Sequence, residues 1–125
     1  MTENDISYRI RASIFEVYNY LGPGLLESIY ETALKHELEL RGFSIENQVP
    51  MPVFYKGIEM DMGFRLDLLV NKKVVIEIKS VENLLNVHHK QLLTYLKITG
   101  LKLGLLVNFN TSNITKSITR IVNNL

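Results

Sequence analysis

Glu77 and Lys79 stand two residues apart in the run Lys73-Val-Val-Ile-Glu-Ile-Lys79, and Asp67 precedes them in Gly63-Phe-Arg-Leu-Asp-Leu-Leu-Val70. Two carboxylates and an ammonium group brought to one edge of a sheet suit a divalent cation and the oxygen it activates. The chain has no cysteine, and its only imidazoles are His36, His88 and His89, so the expected ion is a hard one held by oxygen. Charges alternating with apolar residues on a strand also mark a solvated face, so Glu-x-Lys alone carries little weight. Asp67 upstream and a polar helix downstream shift the balance.

These residues need elements to position them. Val74, Val75, Ile76 and Ile78 are β-branched or aliphatic and read as an interior strand, in which Glu77 and Lys79 point the same way. Unpartnered charges in such an apolar layer would be costly. Residues 63–70 form a second strand, and the short Asn71-Lys72-Lys73 link predicts a tight hairpin that brings Asp67 beside Glu77.

The other segments follow from periodicity. Ile6, Ile10, Ile14, Val17, Tyr18 and Leu21 predict an amphipathic helix after a polar lead from Thr2 to Asp5, stopped by Gly22-Pro23-Gly24. A second helix is predicted over 25–41, with Leu26, Ile29, Tyr30, Ala33, Leu34 and Leu38 as its stripe and Gly42 as its cap. Glu27 lies in its first turn, where a carboxylate also simply favours the helix dipole. Residues 43–55 look extended, and Pro50 and Pro52 make that strand an edge. Lys56-Gly57 is a turn, and residues 58–62 lead into the Asp67 strand. A third helix spans 86–99 before Gly100, then a strand over 101–109. His88, Gln91 and Tyr95 share one side of that helix and could face a phosphate or hold Lys79; Tyr95 as core and Gln91 as solvated is the alternative. Adjacent His88 and His89 diverge too far to share a metal. The tail is open: Ile114, Ile118, Ile121, Val122 and Leu125 fit a helix, while the β-branched residues of 118–122 favour a strand.

At 125 residues, 46% hydrophobic and 22% charged, the chain fits one soluble α/β domain over residues 1–125. No apolar run reaches membrane-spanning length and no secretory leader is seen, so the expected location is cytoplasmic. The net charge of +1 hides an asymmetry. Residues 1–64 hold five Lys/Arg against ten Asp/Glu, whereas residues 65–125 hold nine against three. The half with the Glu-x-Lys strand carries +6, compatible with a polyanionic partner.

Gly24-Leu-Leu-Glu27-Ser-Ile-Tyr30 resembles the signature of the GxxExxY family, a branch of the PD-(D/E)XK nuclease superfamily. The likeness continues through Tyr55-Lys56-Gly57, Phe64-Arg65-Leu66-Asp67, Glu77-Ile78-Lys79, His88-x-x-Gln91-Leu-Leu-Thr-Tyr95 and Gly104-Leu-Leu-Val-Asn-Phe-Asn110, covering nearly the whole chain. Leu66 stands where the superfamily name expects proline. The resemblance implies a restriction-endonuclease-like αβββαβ core with an extra N-terminal helix. It implies that Asp67 and Glu77 bind Mg²⁺ or Mn²⁺ with the Ile78 carbonyl, and that Glu27 completes the shell or holds a second ion. Lys79 would be the catalytic lysine, with Gln91 and Tyr95 positioning substrate or buttressing it. The activity implied is metal-dependent hydrolysis of DNA or RNA phosphodiesters. The nucleic acid is the partner, and a homodimer is compatible with it. The alternative is a non-catalytic module on the same scaffold, binding nucleic acid or protein.

Overall fold

The computed structural model describes the backbone of residues 1–125 and every side chain except those at 61 and 62. In chain order the elements are α1 (Glu3–Leu21), α2 (Glu27–Leu40), β1 (Ile45–Tyr55), β2 (Ile58–Val70), β3 (Val74–Lys79), α3 (Asn86–Thr99), β4 (Leu103–Asn108), a 3-10 turn (Ile114–Ser117) and β5 (Ile118–Val122). The strands form one sheet in the order β1-β2-β3-β4-β5. Only β3 and β4 pair in parallel; the other neighbours are antiparallel. This mixed α/β architecture contains the αβββαβ order that the resemblance implies, with α1 before it and β5 added beyond it.

The helix ends follow from local chemistry. The Thr2 to Asp5 segment is a capping box and not a lead: the Asp5 N–H donates to Thr2 Oγ1 at 3.2 Å, and the Thr2 N–H donates to Asp5 Oδ2 at 3.0 Å. The helix therefore begins at Glu3, earlier than its apolar stripe. At the end of α2, Gly42 takes φ +91°, its N–H donating to the Glu39 carbonyl while the Phe43 N–H reaches the Leu38 carbonyl. That is a Schellman ending, closed by buried Phe43 and Leu38 in the same core.

Two apolar layers flank the sheet. Ile6, Ile10, Ile14, Tyr30, Leu34 and Leu38 from α1 and α2 pack on Leu68, Val70, Val74, Ile76, Ile78, Leu105 and Val107. On the other face, Leu92, Tyr95 and Leu96 of α3 pack with Met51, Leu66, Leu69, Val75 and Leu106. β3 and β4 are buried from both sides, so they read as continuous apolar runs. Gly104 allows α3 this close, since a Cβ there would lie 3.0 Å from both Leu92 methyl carbons.

β1 is an outer strand, as Pro50 and Pro52 predicted. β2 starts at Ile58 and forms a long arm with β1, of which only Leu68, Leu69 and Val70 pair with β3. The Asn71-Lys72-Lys73 link is the tight turn expected: Asn71 and Lys72 take φ +51° and +56°, and the Lys73 N–H donates to the Val70 carbonyl. The tail resolves as the short 3-10 turn followed by a strand on the open edge of β4.

Candidate active site

The β2–β3 ladder runs from Val70 opposite Val74 to Leu68 opposite Ile76 and ends one residue short of Asp67. Side chains replace the missing backbone pairs. The Asp67 N–H donates to Glu77 Oε1 at 3.2 Å, and the Ile78 N–H donates to Asp67 Oδ2 at 2.8 Å. Each acid therefore binds the other's strand, and the two carboxylates converge in the gap where the strands part.

A kink makes this gap. Leu68 and Val70 face the α1/α2 core, yet Leu66, two residues earlier, belongs to the α3 core. Side-chain alternation in β2 thus inverts around Asp67. β1 inverts at the same level: Ile45 borders the first core, while Val49 borders the second. Between them Gln48 takes φ +51° opposite Asp67, and the pairing is interrupted there between Asn47–Leu68 and Val49–Leu66.

Glu77 is 7% exposed. Burial, then the neighbouring Asp67 charge, pushes its pKa up to about 8; the Asp67 N–H and Lys79 pull it back only in part. Tyr95 is buried on the α3 side, and its phenol pKa is raised by burial and by the negative charges of Glu77 and Asp67. Phe64 covers its ring at a centroid distance of 4.9 Å. Tyr95 is therefore core and neighbour of the acids at once.

Lys79 ends β3 half-buried, its carbonyl held by the Phe109 N–H at 2.9 Å. Among the described residues the only ion pair is Arg41–Glu37, so the Lys79 ammonium is not locked to either acid. Gln91 is exposed on α3 and, among the described residues, its side chain makes no hydrogen bond. Glu27 lies along the cleft next to Asp67, but its Oε2 accepts from the Ser80 N–H at 3.4 Å. His88 is used locally, its Nδ1 accepting from the Leu85 N–H at the start of α3. Among the described residues no three of His, Asp and Glu gather as a metal-holding group.

Gln48 and Glu31, which no sequence motif singled out, and Asn108, which stood in a motif without a role, support the site. Gln48 Nε2 donates to Glu31 Oε1 at 2.6 Å and to Asp67 Oδ1 at 3.3 Å. Glu31 has its pKa raised mainly by burial, with Gln48 opposing and Asp67 adding to the rise. Asn108 clamps the segment after β3, giving its amide to the Val81 carbonyl at 2.9 Å and accepting the Val81 N–H at 3.1 Å. The spacing of Glu27 and Glu31 on one helix face was a signal for Glu31; nothing local in the sequence marks Gln48.

The superfamily's model, described as the PD-(D/E)XK nuclease superfamily, matches residues 4–121. The chain belongs to the PD-(D/E)XK nuclease superfamily. Nothing matches it among curated proteins, and nothing matches among solved structures. PD-(D/E)XK nucleases typically use divalent metals. The donors here fit such an ion: all are oxygen, and the repulsion of buried Glu77 by Asp67 is of the kind a cation relieves.

Proposed function

We propose that this protein is a divalent-metal-dependent nuclease of the GxxExxY branch, hydrolysing phosphodiester bonds of DNA or RNA. The observation that carries the reading is the reciprocal binding of Asp67 and Glu77 across the open end of the β2–β3 ladder. It supports a preformed anionic seat beside the Lys79 ammonium group. In this reading Asp67, Glu77 and the Ile78 carbonyl hold Mg²⁺ or Mn²⁺, which when bound supplies Lewis acidity toward the phosphate.

The chain's own groups do the rest. Lys79, held by its carbonyl and in no ion pair among the described residues, stabilises negative charge that builds on the phosphate oxygens. Tyr95 walls the site on the α3 side, and exposed Gln91 is left to meet the substrate strand. Glu27 borders the cleft from α2, where it can join the cation's surroundings.

The GxxExxY segment acquires a physical role. Gly24 takes φ +92°, and the buried Tyr30 hydroxyl donates to the Gly22 carbonyl at 2.5 Å while accepting the Leu25 N–H at 3.1 Å. Ser80 Oγ then donates to the Leu25 carbonyl at 2.6 Å. Tyr30 and Ser80 together fasten the turn carrying Glu27 to the end of the Lys79 strand.

Purified protein incubated with single- and double-stranded DNA and RNA, with Mg²⁺, Mn²⁺ or a chelator, tests the reading. Metal-dependent cleavage that falls by roughly 100-fold or more in Asp67→Ala and in Lys79→Ala supports it. Binding that survives both substitutions with no cleavage by the wild type sinks it in favour of the non-catalytic module.

A further inference from the structure

We infer that Gln48 is a positioning residue that fixes the Asp67 carboxylate, with Glu31 as its anchor on α2; as a statement about cation binding it rests on the reading above. Both partners of the Gln48 amide are carboxylates, which only accept hydrogen bonds. The NH₂ end must therefore face them, and it bridges Glu31 Oε1 at 2.6 Å to Asp67 Oδ1 at 3.3 Å. The other Asp67 oxygen takes the Ile78 N–H at 2.8 Å. Together the two donors define the plane and direction of the carboxylate.

The backbone is built around this contact. Gln48 holds φ +51°, a left-handed conformation that costs a residue with a Cβ and is kept only where surrounding structure fixes it. Its carbonyl is taken by Arg65 Nη1 at 3.2 Å, from the strand that carries Asp67. Side-chain alternation in β1 and β2 inverts at this level, so the Gln48 side chain is turned toward α2, where Glu31 waits. A regular strand would place the amide elsewhere. Glutamine also brings a donor to two acids without adding a charge of either sign, so the anionic seat is oriented and not neutralised.

Three variants separate side chain from backbone. Gln48→Gly relieves the positive φ and removes the amide; Gln48→Ala removes the amide and keeps the strain; Gln48→Asn tolerates the φ but is one methylene too short to span both acids. The first readout needs no metal: hydrogen exchange of the Ile78 N–H, whose acceptor is Asp67. It should quicken by about tenfold in all three variants, while Val75 and Leu105 amides keep their protection. The second readout is Mn²⁺ affinity by calorimetry, expected to weaken by roughly 10- to 100-fold in Gln48→Gly as for loss of other groups that orient a metal ligand.

Unchanged Ile78 exchange in Gln48→Gly overturns the positioning role whatever the protein does with metal. Recovery of wild-type exchange in Gln48→Gly but not in Gln48→Ala also overturns it, because strain alone would then be the cause. Quickened exchange with wild-type Mn²⁺ affinity overturns the link to the cation. A wild type that shows protected Ile78 yet binds no Mn²⁺ sinks the metal reading and leaves the positioning of Asp67 supported on the exchange data.

Discussion

At the scale of single residues, buried Glu77 beside half-buried Asp67 sets a measurable pH dependence. Glu77 has its pKa raised from 4.5 to about 8, so the fold favours its protonated form. Between those values the unfolded chain releases a proton that the folded chain retains, and stability falls as pH rises. The stabilisation of the metal-free protein is full below pH 4.5 and lost by pH 8, by at most about 5 kcal/mol from a shift of this size. Urea midpoints measured with chelator at pH 5 and pH 8 should show the drop, and Glu77→Gln should flatten it. A wild type with no such drop would refute the raised Glu77 pKa that burial, and then the Asp67 charge, impose. Addition of Mn²⁺ at pH 8 should restore about 2.7 kcal/mol at one hundred times its Kd, and should do so in the wild type but not in Asp67→Ala. Asp67 and Glu77 were legible as a pair because a short turn and period-2 strands leave little freedom in where they meet. Gln48 was not legible, because its role depends on a positive φ that its sequence neighbours do not signal.

At the scale of elements, the joint between α1, α2 and β3 depends on one phenol. Tyr30 is fully buried, stacks on Phe109 with centroids 4.3 Å apart, and serves two backbone groups of the α1–α2 turn. Tyr30→Phe keeps the stack but leaves the Gly22 carbonyl and the Leu25 N–H without it. Thermal or urea unfolding should register a loss of about 1–2 kcal/mol. Cleavage should fall as well if the position of Glu27 matters to the site; full activity in a destabilised Tyr30→Phe protein would limit the joint to a structural role. On the other face, Gly104→Val should cost about 1–3 kcal/mol by forcing Leu92 and α3 off β4. Helix and strand types were legible from periodicity, and the edge position of β1 from two prolines. The tail was not, because helical spacing and β-branched composition conflict there. The open edge of β4 decided it, pairing Leu103 with Val122 through Val107 with Ile118.

At the scale of the molecule, the acidic and basic halves of the sequence meet in one sheet. α1, α2 and β1 come from the acidic half, while α3, β3, β4 and β5 come from the basic half. Lys90 and Lys97 are exposed on α3, the helix that covers the Glu77 side of the sheet. If that helix faces the phosphate backbone, nucleic-acid affinity should fall steeply with salt, and Lys90→Ala and Lys97→Ala should each reduce the log–log slope by about one. Filter binding or anisotropy across a salt series measures this, and slopes equal to wild type in both variants would move the contact surface elsewhere. Among the described residues no helix is long and apolar enough to cross a membrane.

The sequence by itself determined the order of helices and strands as far as β4, the β2–β3 turn and the neighbourhood of Asp67 and Glu77, since these depend on side-chain period and on links too short to allow other routes. Tertiary structure alone decided the coupled kink at Gln48 and Asp67, the placing of Glu31 against them, and the strand at the tail. Those features arise where strands from distant parts of the chain lose or gain a partner, and no local pattern encodes which edge will be open.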